Sequence, residues 1–492
     1  VKWILALFLA FNPAPWPAWK PIGPWGGAAR AIRLDAARPD TMLAISMRGT
    51  GAFRSRDAAR SWTHLTNFPE LPNARLDAAW ILPGKWLIGA APGGLFASTD
   101  EGDSWQVVPG TENLSVYAIT SWQRDPRVVA IGTNQGVWMS NDAAISWRRI
   151  SPKTIDDLTA IVSVAFHPAR AGTLYAGTPH LPWKTTNAGA TWTKAHSGMY
   201  DDSDIFSIVL DSTQDGRMFA SACSGIYCST NGGVTWRRVQ GIPGNNRRTY
   251  VVAQNPHHPR LLFAGTSAGM WKSEDTGNTW KKLNEMVATS IAFHPTSKQT
   301  FYISTERHGL LRTDDNGVTF TPRNEGFASR SIEALESDGA NLKAISRYDG
   351  SFTRTQSADS WQPVAYTEPT PSPRSGDWYQ TVTDPFNPAV LLRASANGIT
   401  KSIDGGATWR NVKHDWVKSI AFHPKRKGLC FALQQQRVFW SPDAGENWYW
   451  LPAQEDTFLM FEKLHISAAE PDHLYAVSSS RGVYMQSIVN IR

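Results

Sequence analysis

The chain of 492 residues is long enough for two or three average domains or for one large all-β assembly. A hydrophobic fraction of 41% supports a packed core and excludes a disordered chain. The net charge of +7 is mild for this length, and lysine and arginine are scattered, which argues against nucleic acid as a partner.

In chain order, residues 1–18 come first and predict a secretory signal peptide. Lys2 is followed by the apolar run Trp3 to Phe11 and then by small residues in "NPAPWPA". The run is too short to span a bilayer, and no later segment is apolar enough to do so. This reading places the mature chain at 19–492, secreted or periplasmic; the alternative is a buried N-terminal strand. Next, "AWKPIGPW" (18–25) stands alone ahead of the first repeat unit.

From residue 55 onward one motif recurs: "SRDAARSW" (55–62), "STDEGDSW" (98–105), "SNDAAISW" (140–147), "TTNAGATW" (185–192), "STNGGVTW" (229–236), "SEDTGNTW" (273–280), "TDDNGVTF" (313–320), "RTQSADSW" (354–361), "SIDGGATW" (402–409) and "SPDAGENW" (441–448). The spacing of roughly forty residues is in the range of propellers and solenoids. Each copy sits in the same setting. Residues 161–195 show an alternating run ending at His-Pro, then "LYAGT", "PWKT", the motif and "TWTKA". That reads as four short antiparallel strands with turns between them. The predicted fold is therefore an all-β propeller of four-stranded blades, about ten or eleven in number.

The motif falls in the turn between the third and fourth strands. Asp57, Asp100, Asp142, Asn187, Asn231, Asp275, Asp315, Asp404 and Asp443 are then expected to accept hydrogen bonds from turn amides. Tryptophan is expected to fill the seam between blades; the chain has 23 of them. Asparagine at two of the nine positions suits a turn acceptor and not a catalytic acid.

These repeats resemble Asp-box, or BNR, repeats. They are similar to those of sialidases, two-propeller xyloglucanases, the photosystem II stability/assembly factor family and the ten-bladed luminal domain of sortilin receptors. "STDEGDSW", "SEDTGNTW" and "SIDGGATW" match fully; "RTQSADSW" departs most, with Arg354 and Gln356 in the Ser and Asp places. The resemblance implies a propeller and leaves function open between enzymes and binding proteins.

After the tenth motif, 465–487 supplies three strands and no fourth. "AWKPIGPW" resembles the strands that follow the motif, so it is predicted to complete the last blade. Closure by both termini would remove free sheet edges. One large ring is favoured over two smaller ones, because the Pro-rich segment 367–378 leaves only about three units behind it, against the four to eight blades usual for a ring.

Cys223 and Cys228 flank "SGIY" and are candidates for a short-loop disulfide, while Cys430 reads as a buried thiol. His167, His294 and His423 precede proline at equivalent places and read as turn residues, not metal ligands. No metal or cofactor motif is present.

The loops expected on one rim carry Asp156, Asp157, Asp201, Asp202, Asp204, Arg247, Arg248, Arg307, Arg347, Tyr348, Asp415 and Trp416. They are the predicted binding surface for a protein, peptide or glycan. Xyloglucanases carry a catalytic Asp in a first-blade motif like "DVGG"; the corresponding "SMRGTGAF" (46–53) has Arg48 and no acid. The sialidase arginine motif is also missing ahead of the first repeat. The favoured reading is a monomeric, non-catalytic scaffold; a diverged glycoside hydrolase is the alternative, and a photosystem assembly factor a weaker one.

Overall fold

The second strand of each repeat explains the architecture. Leu174–Thr178, "LYAGT", is short, rich in small and apolar residues, and buried at all five positions. Such a strand must be covered on both faces and paired on both edges. It pairs with Ser163–Phe166 on one side and Leu181–Thr185 on the other, both antiparallel. A two-residue strand, Thr193–Lys194, completes the sheet. In this computed structural model the pattern repeats as eleven four-stranded sheets among the described residues. These residues are 18–48, 51–69, 71, 73–200, 203–243, 248–346, 348–355, 358, 360–365, 378–434, 437–451 and 461–491. Residues 1–17 of the predicted signal segment 1–18, and most of the Pro-rich segment, lie outside them.

The β-propeller fold is as expected, but the blades fall into two compact units and not one large ring. One unit, residues 23–331, holds blades 1 to 7, whose first strands begin at Ala29, Arg75, Val116, Ser163, Ile205, Thr249 and Ala288. Consecutive first strands touch, and the first strand of blade 7 touches that of blade 1, so seven blades shut the ring. A short parallel ribbon joins its ends: Gly26–Gly27 pairs with Ala328–Ser329. The preference for one ring failed because the motif marks every blade alike. The ring closes through a glycine ribbon that carries no copy of it.

The other unit, formed by the described residues within 18–22 and 332–491, holds blades 8 to 11, with first strands beginning at Ala334, Trp378, Val417 and Phe461. Its last blade takes its outer strand from Lys20–Gly23, bonded to Gly482–Ser487, as predicted. Ile22 packs there with Ile332, Leu342, Tyr475 and Val483. Among the described residues no helix is long and apolar enough to cross a membrane.

The cores lie at the seams. Between blades 4 and 5, Tyr175 and Leu181 meet Ile208, Met218, Tyr227 and Trp236. Between blades 7 and 1, Tyr302, Leu310 and Phe327 meet Ile32, Phe53 and Trp62. Indole N–H groups stitch some seams directly: Trp62 to the Arg323 carbonyl at 2.9 Å, Trp192 to Ile150 at 2.9 Å, and Trp236 to Ala195 at 2.8 Å. Trp105 and Trp280 instead donate to Gly102 and Gly277 of their own turns.

Candidate functional site at the channel of the seven-bladed unit

Most first strands share an irregularity. In nine of the eleven blades the register slips by one residue just after the strand begins. A residue that slips out of the ladder bends the strand and re-aims its side chain. In the seven-bladed unit the slipped residues are Arg30, Asp77, Tyr117, Phe206, Tyr250 and Thr289. All six line one cavity of about 940 Å³, the channel bounded by the first strands of all seven blades. Blade 4 has no slip and contributes Ser163.

The bulged residues converge with a few loop residues. Arg30 and Arg75 both bond to Asp77, Arg75 at 2.8 Å, and the Asp77 side chain is only 4% exposed. This hydrogen bond and charge hold the Arg75 pKa above its ordinary value. On the other side, the Arg248 guanidinium lies 5.0 Å from the Phe206 ring centre and 5.9 Å from that of Tyr250. It reaches Asp204 at 4.0 Å. Burial, and after it the charge of Glu306, push the Tyr250 phenol up. Arginine over aromatic faces is a stable, partly desolvated arrangement. Aromatic planes beside fixed hydrogen-bonding groups suit a ring-shaped polar ligand.

The channel lining includes two carboxylates, Asp77 and Glu306. Asp77 is clamped by two arginines, which leaves it an acceptor with both oxygens occupied. Glu306 is outside that clamp.

Of the predicted rim residues, Arg248 lines this channel, and Asp204 lies 4.0 Å from Arg248 without lining the channel. Asp156 and Asp157 sit exposed on a single 3-10 turn, and Arg307 is exposed in the loop between the second and third strands of blade 7. In the four-bladed unit Tyr348, Asp415 and Trp416 are exposed; Asp415 accepts from Gln434 at 3.1 Å, and Lys418 lies 5.2 Å from the Trp416 ring. Asp201, Asp202, Arg247 and Arg347 lie outside the described residues. The rim reading missed Arg30, Asp77, Tyr117, Phe206 and Tyr250. A polar or aromatic residue stands near the start of several first strands, but alternation alone does not set it apart.

The repeated turn closes in the same way in the nine copies that carry Asp or Asn. Asp100 Oδ1 accepts the Ser104 amide at 2.9 Å and Oδ2 accepts the Ser104 hydroxyl at 2.6 Å. The Ser98 hydroxyl donates to Asp100 at 2.7 Å and accepts the Gly102 amide at 2.7 Å. Asp57, Asp142, Asp275, Asp315, Asp404 and Asp443 accept the equivalent amide, and so do Asn187 and Asn231. Hydrogen bonds from Ser104 hold Asp100 down at about 2. For Asp315 burial pulls upward, but the Thr319 and Thr313 bonds win and hold it at about 2. The Nδ1 atoms of His167, His294 and His423 each accept backbone amides two or three residues on.

Cys223 and Cys228 are free thiols, not a disulfide. Cys228 is on the Gly225–Ser229 strand with its side chain in the seam between blades 5 and 6, whereas Cys223 stays in the turn before it. The two side chains serve different surroundings.

No family model matches the chain. It is similar to the oligoxyloglucan-reducing end-specific xyloglucanase of Emericella nidulans, 24% identical over 154 residues, which is 24% of this chain and 19% of that protein. A probable enzyme of the same description from Neosartorya fischeri is 34% identical over 74 residues, 14% of this chain and 9% of that protein. The matched parts thus span less than a fifth of either curated relative. Among solved structures, a GH74 xyloglucanase from Xanthomonas campestris is 14% identical, covers 96% of this chain and 100% of its own, and superposes with a TM-score of 0.65. At that identity the likeness is one of fold: the chain is a β-propeller protein of four-stranded antiparallel blades.

Proposed function

We propose that the chain is a carbohydrate-active propeller, a glycoside hydrolase that takes a glycan at the channel mouth of its seven-bladed unit. The observation that carries this is the sequence likeness: both curated relatives are xyloglucanases, and the fold likeness to a xyloglucanase runs along nearly the whole chain. The channel supports it. Tyr117, Phe206 and Tyr250 offer faces for sugar rings, and Arg75, Asp77 and Arg248 offer fixed polar groups beside them. Glu306, which lies against Tyr250, is the channel carboxylate outside the arginine clamp and the candidate acid.

One observation favours the second reading, a glycan-binding protein without hydrolysis. Glycoside hydrolysis uses two carboxyl groups about 5–9.5 Å apart, and Asp77 is tied to Arg30 and Arg75. The test is incubation of the full chain with xyloglucan oligosaccharides, scored for new reducing ends and, in parallel, for binding by calorimetry. Hydrolysis that falls at least tenfold in Glu306→Gln supports the enzyme. Binding that weakens in Tyr250→Ala without hydrolysis supports the second reading. Neither binding nor hydrolysis of xyloglucan or other plant β-glucans overturns both.

A further inference from the structure

The same channel contains a cation that the proposed glycan site does not use. Arg33 lies three residues beyond Arg30 on the first strand of blade 1, and it also lines the channel. It reaches both neighbouring blades. One guanidinium nitrogen donates to Ser290 Oγ of blade 7 at 3.0 Å and to the Ile32 carbonyl at 2.8 Å. Its plane faces the Trp80 ring of blade 2, 5.5 Å from the centroid. Trp80 is itself held by a bond from its indole to Ser121 at 3.1 Å. The arginine is therefore braced on three blades.

Its charge, however, is left uncompensated. Among the described residues no carboxylate pairs with Arg33, and its buried Nε has no hydrogen-bond partner. Desolvation alone pulls its pKa down to about 10. The two acids of the channel lining do not relieve it: Asp77 is shared by Arg30 and Arg75, and Glu306 lies against Tyr250. Four arginines thus face two acids in the lining. A buried, unpaired charge is costly unless something compensates it. A guanidinium fixed in one orientation presents its remaining N–H groups to an oxyanion as charge-assisted donors.

We infer that the channel of the seven-bladed unit binds an oxyanion at Arg33, either the carboxylate of a sugar acid or a free inorganic oxyanion such as sulfate. The second terminal nitrogen, which Ser290 and Ile32 do not engage, supplies the donors, and Trp80 supplies an apolar wall. This site does not require that a neutral glycan occupy the bulged residues at the other end of the strands.

The test is calorimetric titration of the full chain with sodium glucuronate, sodium sulfate and neutral glucose at constant ionic strength. It is repeated on Arg33→Met and Arg33→Lys. Binding of glucuronate or sulfate that weakens at least tenfold in Arg33→Met supports the site. Glucuronate alone points to a sugar acid, and both together to a general oxyanion site. Arg33→Lys keeps the charge but loses the braced planar guanidinium and should weaken binding severalfold; it serves as the readout if Arg33→Met does not fold. Absence of binding by either anion, or an affinity unchanged in both variants, overturns the inference, as does glucose binding equally well.

Discussion

Replacing Trp236 by alanine tests the seam most directly. The side chain is 5% exposed and packs among Tyr175, Met199, Met218 and Tyr227, so it joins blades 4 and 5. An aromatic side chain buries about 150–250 Å², and at ~25 cal/mol per Å² its removal from water contributes roughly 4–6 kcal/mol as an upper bound. Its indole N–H also leaves the Ala195 carbonyl without a donor, a loss of about 1 kcal/mol. The backbone bond from the Trp236 amide to the Ser197 carbonyl, 2.8 Å, survives the substitution and keeps the strands aligned. Partial collapse of the void lowers the total, and measured tryptophan truncations in cores cost about 3–5 kcal/mol. We expect about 4 kcal/mol for Trp236→Ala and about 1–2 kcal/mol for Trp236→Phe, which keeps most of the bulk. Guanidinium denaturation followed by circular dichroism measures both. Trp416→Ala, at a position 43% exposed, should change stability by less than about 0.5 kcal/mol. A cost below about 1 kcal/mol for Trp236→Ala, with an unchanged denaturant slope, would refute the seam argument.

Two further perturbations address closure and pH. Gly27→Ala places a methyl 2.2 Å from the Ser329 carbonyl oxygen at a φ of +105°, so it should strain the backbone by about 1–3 kcal/mol and also part the ribbon that shuts the ring. Gly84→Ala, also at positive φ but with nothing near its added carbon, should cost only about 1–2 kcal/mol; equal losses in a melting experiment would sink the steric reading. The seven turn aspartates all have pKa values held below 3.8, so each contributes stability that is full above about pH 4 and is lost as pH falls toward about 2. Melting temperature should be flat above about pH 5 and fall steeply between about pH 4 and 2, and Asp100→Asn should lessen that fall. A midpoint near pH 6 would point to histidines instead.

The strands were legible because their physics is local. "LYAGT" and its copies are short, apolar and bounded by turns, which suffices to place a fully buried strand. The completing strand 18–24 could be found because it resembles its neighbours and has no unit of its own. Ring closure was not legible: Gly26 and Gly27 carry no periodicity, and their role depends on Ser329, three hundred residues away in sequence. The channel residues escaped for a related reason. Tyr117 and Phe206 fit an alternating strand as well as a bulged one, and only pairing with the second strand shows that they have slipped out of register.

The glycine ribbon also bears on how the chain finds its last strand. The outer strand at residues 20–23 must meet residues 482–487, a loop of some 460 residues if the chain is otherwise unfolded. Once the seven-bladed ring has shut, Gly26 is bonded to Phe327 at 2.7 Å, and Arg330 to the Trp25 carbonyl at 3.0 Å. The two passages of the chain then leave the ring side by side, and about 310 residues drop out of the loop. Loop entropy grows as (3/2)RT ln n, so this shortcut lowers the entropic cost of closing the last blade by about 1 kcal/mol. It also makes the order of assembly asymmetric: the middle of the sequence can fold first and deliver both ends to the blade that needs them.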